Sequence, residues 1–105
     1  MCRSNVGMSG GKQFLRISKC SPVQIRHELG HVIGLYHEHT RSDRDDHITI
    51  HESNIKLGRE INFAKCTRCW HFDLPYGFRS IMHYPKNGMS KHGKATMTPK
   101  KVNRY

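Results

Sequence analysis

The sequence predicts an α+β fold: a short strand pair, one site-bearing helix, and a mostly irregular C-terminal part. Three observations predict it. A capped amphipathic stretch runs over residues 22–33. Two short extended segments precede it. The rest is cut into short pieces by polar, glycine and proline turns. With 105 residues the chain can build one small domain and one modest core.

Taken in order, Cys2-Arg3-Ser4-Asn5-Val6 reads as the first extended piece. Gly7-Met8-Ser9-Gly10-Gly11 makes a turn, and Gln13 to Ser18 is the second extended piece, with a strand-like mix of apolar and polar residues. A hairpin brings Cys2 near Cys20, where a disulfide would staple the pair; two buried free thiols are the alternative.

The helix has clear local signals. Ser21 suits the N-cap, Pro22 the first helical position, and Gln24 completes a capping box. Gly34 supplies a stop, because glycine adopts the left-handed conformation that a sharp turn needs. Ile25, Leu29, Val32 and Ile33 fall on one side of the wheel, while Gln24, His27, Glu28 and His31 fall on the other. One face is expected to enter a core and the opposite face to line a cleft.

That second face carries the pattern H-E-x-x-H-x-x-G-x-x-H-E from His27 to Glu38. His27 and His31, four apart, lie one helical turn apart on one face, so both imidazoles can reach one ion. Glu28, about 100° round the helix, can reach a water held by a metal. The turn at Gly34 lets His37 swing back as a third ligand. Three protein nitrogens leave a fourth position open, which marks a catalytic zinc site rather than a structural one. In a chain with nine histidines the bare pentamer can arise by chance. A glycine and a third histidine at set spacings make chance a poor explanation.

Downstream, residues 40–46 alternate in charge and read as a loop pinned by ion pairs and side-chain-to-backbone bonds. His47-Ile48-Thr49-Ile50 is a short extended piece, and a helical turn or two falls near 59–65. Cys66-Thr67-Arg68-Cys69 lacks further ligands at finger spacing and a βαβ setting, so a local disulfide or unpaired thiols is favoured over a metal or redox role. Arg79 to Pro85 reads as a tight turn, with Met82 as core filler and Tyr84 half-buried.

The formal net charge is +10, and no acidic residue follows Asp73. The run Arg79, Lys86, Lys91, Lys94, Lys100, Lys101 and Arg104 reads as a solvated, frayed end rather than a polyanion site. Beyond Pro85 only His92 and Tyr105 offer rings, too few for a base-stacking surface, so no nucleic-acid partner is expected. No run is long and apolar enough to span a membrane. The first residues contain no apolar leader segment, so either the protein is cytosolic or its leader lies outside this sequence; the site chemistry and cysteine spacing favour the second, an extracellular setting.

The zinc helix and the methionine-containing turn together resemble the astacin family of zinc metalloendopeptidases, within the metzincin (zincin-like) clan. Glu38 after the third histidine fits that family's pattern, as do Arg41 and Asp43-Arg44-Asp45. Ser80-Ile81-Met82-His83-Tyr84 looks like its methionine turn. Cys2, Val6-Gly7, Gly10-Gly11, Gln13 and Cys20 resemble the strand pair before its active-site helix. Glu38-His39-Thr40-Arg41 looks closest to the tolloid branch.

The resemblance implies these roles: His27, His31 and His37 hold one Zn2+ per chain, and Glu28 is the general base. Met82 packs under the site. Tyr84 is a labile further ligand that swings away to stabilise the oxyanion. Glu38 receives the new N-terminus after propeptide removal, and Cys2 pairs with Cys20. It also implies an upstream edge strand that pairs with an extended substrate. The expected activity is hydrolysis of peptide bonds in protein or peptide substrates by a secreted enzyme. The alternative is a catalytically inactive relative that binds zinc or a protein. Against the family pattern, residues 1–105 are expected to form a partial peptidase domain. Most of the N-terminal subdomain and the C-terminal helix lie outside it, as does the N-terminus that Glu38 would receive.

Overall fold

A computed structural model of the chain describes residues 2–101. Met1, and Arg104 and Tyr105 of the basic run, lie outside the described residues. The chain forms two compact units, Met1–Tyr36 and His37–Tyr105.

In the first unit, β1 (Cys2–Ser4) and β2 (Leu15–Ile17) pair antiparallel, with Cys2 opposite Ile17 and Ser4 opposite Leu15. Just beyond this register Cys2 and Cys20 form a disulfide, their Cα atoms 6.0 Å apart. The expected hairpin and its staple are therefore both present. The helix α1 runs Pro22–Val32, one residue shorter than expected. The capping box is complete: the Gln24 amide donates to Ser21 Oγ at 3.2 Å, and the Ser21 amide donates to Gln24 Oε1 at 2.8 Å. Two donors at the start of the helix that lack a partner within it are thus satisfied locally. At the other end Ile33 is the C-cap, and Gly34 turns the chain at φ +106°, a conformation that costs glycine nothing sterically.

One expectation about this helix holds only in part: Ile25 and Val32 of the apolar face are half-buried. Leu29 and Ile33, assigned to the core face, are 46% and 72% exposed, whereas Glu28 and His31 are each 8% exposed. The hairpin is bonded to the backbone of the helix. Ser4 Oγ donates to the Glu28 carbonyl at 3.0 Å, and the Gly7 amide donates to the His31 carbonyl at 2.7 Å. Within this unit the apolar stripe has only the few side chains of a very short sheet to pack on.

In the second unit, β3 (Ile48–Ile50) pairs antiparallel with β4 (Met97–Pro99). Pro99 has no amide to give, and the ladder resumes one residue later, where Lys100 donates to the His47 carbonyl at 2.9 Å. The core is Ile48, Ile55, Phe63 and Met97, with Ile50, Tyr76, Phe78, Tyr84 and Met89 packed against it. The strand β4 corrects the reading of the basic run as a frayed end. Its lysines are exposed, as expected, but Thr96 and Met97 are fully buried. A single core methionine anchors that segment, and the cations project around it.

The predicted turn near 59–65 is a short 3-10 helix, Glu60–Phe63. Cys66 and Cys69 form a local disulfide. The 40–46 loop is pinned as its charges suggested. Arg41 makes two bonds to the Asp43 carboxylate, both 2.9 Å, and Arg44 Nη1 donates to the carbonyls of His39 at 3.0 Å and Phe63 at 2.7 Å. Among the described residues no helix is long and apolar enough to cross a membrane.

Candidate metal centre

The helix α1 places His27 and His31 one turn apart, with ring centroids 4.7 Å apart and planes at 88°. His31 Nδ1 lies 2.7 Å from the Leu35 carbonyl. A carbonyl only accepts, so Nδ1 carries a proton and donates it to this bond. This is the arrangement in which an outer partner fixes the tautomer of a metal-ligating imidazole. The turn at Gly34 brings the chain round, so that within the continuous segment 27–37 one ring nitrogen each from His27, His31 and His37 lies within 4.8 Å of the others. Neutral imidazole nitrogens at this spacing suit a single zinc ion, so the donor set fits the group implied by the sequence. Glu28 sits on the same helix as a buried carboxylate.

On the second unit, His37 and Tyr84 stand edge to face at 5.0 Å between ring centroids. Tyr84 is half-buried, and burial pushes its phenol pKa above the ordinary value. Met82 is 3% exposed, and its carbonyl accepts the Glu38 amide at 2.9 Å. Glu38 turns its carboxylate to the Gly77 amide, which donates to Oε2 at 3.0 Å, and to Arg41, 3.5 Å from Oε1.

Sequence reasoning missed the residues around Tyr84. His39 is completely buried, and its ring lies over that of Tyr84 at 4.0 Å between centroids and a tilt of 32°. Burial lowers its pKa to about 4; the bond to the Asn62 carbonyl opposes this, while His83 and Arg44 push it further down. His83 Nδ1 donates to the Tyr84 carbonyl at 2.6 Å, and its Nε2 lies 2.7 Å from the Tyr76 hydroxyl. Burial lowers the His83 pKa, so the ring is neutral and Nε2 accepts from Tyr76. The ring of Tyr76 in turn stacks on His47 at 4.6 Å. The contacts of His39 with Tyr84 and Asn62, and of Tyr76 with His47, leave no periodic or capping signal, because each joins segments distant in the chain.

The family model described as "Astacin", a peptidase family, matches residues 1–105. The chain is 45% identical over 104 residues to Zinc metalloproteinase nas-14 of Caenorhabditis elegans, covering 94% of this chain and 21% of that protein. It is 48% identical over 95 residues to Bone morphogenetic protein 1 of Xenopus laevis, covering 86% of this chain and 13% of that protein. Among solved structures it is similar to High choriolytic enzyme 1, a hatching-enzyme zinc protease of Oryzias latipes. The TM-score is 0.87 at 37% identity, over 99% of this chain and 53% of that one. The chain thus spans a minor part of the length of these curated relatives, and about half of the solved chain.

Proposed function

The chain belongs to the astacin family, and from that premise we propose that it is part of the peptidase domain of a secreted zinc-dependent metalloendopeptidase. His27, His31 and His37 hold the metal. The observation that carries this reading is their grouping, with the His31 ring oriented by the bond from Nδ1 to the Leu35 carbonyl. The two disulfides support an extracellular setting, because such bonds persist in oxidising compartments.

When bound, zinc supplies Lewis acidity, polarising the scissile carbonyl and making water acidic enough to ionise near neutral pH. Glu28 takes the proton of the attacking water and later delivers it to the leaving amine. On the helix that carries His27 and His31, it would reach a water held by the metal. Tyr84 donates a hydrogen bond from its phenol hydroxyl to the carbonyl oxygen as negative charge develops there, which requires the phenol to be protonated; its raised pKa supports that state. Met82 acts through its carbonyl, holding Glu38 and so the residue next to His37. The substrates are proteins or peptides.

Glu28→Ala tests the reading. The variant is expected to bind zinc with the stoichiometry of the parent and to cleave a quenched peptide at least about a hundredfold more slowly. Cleavage at the parental rate by the zinc-loaded variant would reject Glu28 as the base. Zinc binding by the parent protein without turnover would identify an inactive, metal-binding relative instead.

A further inference from the structure

The ring of Tyr84 rests against two neighbours that are themselves immobilised. The first is His39. It has no exposed surface, its Nε2–H donates to the Asn62 carbonyl at 2.8 Å, and its own carbonyl accepts from Arg44 at 3.0 Å. Side chain and backbone are therefore both fixed. With Nε2 protonated, Nδ1 is a bare acceptor, and it is buried with no hydrogen-bond partner. A buried acceptor left unpaired is costly, and a leucine or phenylalanine would fill the same space without that cost. What the histidine adds is a flat ring held in one orientation by a hydrogen bond, directly over the phenol ring.

The second neighbour is the Gly88 backbone. A Cβ built on Gly88 would stand 3.0 Å from Tyr84 Cδ2 and 3.2 Å from its Cβ. The Gly88 carbonyl accepts from Oγ1 of the fully buried Thr96 at 2.7 Å, and its amide donates to the Pro85 carbonyl at 2.8 Å. That wall is not free to retreat.

We propose that His39 is a positioning residue for Tyr84: the hydrogen-bonded imidazole and the Gly88 backbone together set the resting place of the phenol ring beside His37. The inference deepens the reading of Tyr84 given above and rests on it. His39 does not touch the reacting atoms. It acts by confining a side chain whose hydroxyl must be delivered to within a few tenths of an ångström, a placement whose loss costs rate rather than substrate affinity.

The test combines kinetics with a reading of position that needs no turnover. In the full chain without metal, the parent is expected to show a nuclear Overhauser contact between the Tyr84 and His37 rings. His39→Leu should weaken or abolish it. Gly88→Ala, which displaces the ring from its other neighbour, should do the same. In the zinc-loaded protein His39→Leu should lower kcat by about tenfold to a hundredfold with KM within about twofold. It should cost nothing further in a Tyr84→Phe background. An undisturbed Overhauser contact in both variants would overturn the proposal, as would an equal kcat loss with and without the Tyr84 hydroxyl. If His39→Leu fails to fold, Gly88→Ala carries the same two readings. A Tyr84→Phe enzyme with parental kcat would overturn the oxyanion role itself; that failure is told apart because the Overhauser contact reports the ring's position independently of turnover.

Discussion

The amide of Glu38 donates to the carbonyl of Met82 at 2.9 Å, and the Glu38 carboxylate accepts the amide of Gly77 at 3.0 Å. One residue therefore fastens the backbone after His37 to both ends of the turn that leads to Tyr84. The main-chain bond survives any side-chain change at 38, while the carboxylate bonds do not.

Glu38→Ala would leave the part-buried Gly77 amide without its acceptor and remove a partner from Arg41, which is 7% exposed. A loss of about 1–3 kcal/mol in unfolding free energy is expected, read from urea denaturation. Glu38→Gln keeps an acceptor oxygen and should lose less. Equal losses for the two would assign the effect to charge rather than to the hydrogen bond.

Acid should destabilise the second unit through His39. Its folded pKa, about 4, lies below the unfolded value of 6.5. The unfolded chain takes up the proton first, so this contribution is complete above pH 6.5 and is lost as pH falls toward 4. The full loss is about 3 kcal/mol. Asp43 and Asp45 act in the same direction at lower pH. Burial alone would raise each, but bonds and charges from Arg41 for the first, and from Lys65 and Arg44 for the second, bring the net pKa down. Denaturation of chelator-treated protein between pH 4 and 7 should show the slope, and His39→Phe should reduce it, leaving the part that the lowered pKa of His83 contributes with the same sign. A parental slope in His39→Phe would refute the assignment.

The two disulfides close loops of very different length, with sequence separations of 18 and 3. Loop-closure entropy assigns about 3 kcal/mol to Cys2–Cys20 and about 2 kcal/mol to Cys66–Cys69. Paired Cys→Ser variants should lower the denaturation midpoint in that order. The reverse order would mean that the short bridge acts through its anchorage, since the Cys66 amide also donates to the Thr40 carbonyl at 2.7 Å.

The helix and the three histidines were legible because their signals are local. Ser21, Pro22, Gln24 and Gly34 act within a turn of their own positions, and a four-residue spacing is enough to align His27 with His31. The strand β4 was not legible. Met97 pairs with Ile50, far back in the chain, and a lone methionine between lysines and threonines carries no alternation to announce it. His39 lay in plain view beside Glu38, but its burial depends on Asn62, Phe63 and Tyr84, which folding alone brings together. The exposure of Leu29 and Ile33 has the same origin: the wheel shows which side is apolar, but not whether a partner covers it.

The His31 carbonyl receives two donors, Gly34 at 2.9 Å and Gly7 at 2.7 Å. A glycine in the loop between two short strands would ordinarily swap its proton with solvent almost at once. Moored to the last turn of the helix, the Gly7 amide should instead exchange slowly with deuterium. Its exchange rate then becomes a gauge of how often the end of the helix that presents His31 comes unfastened.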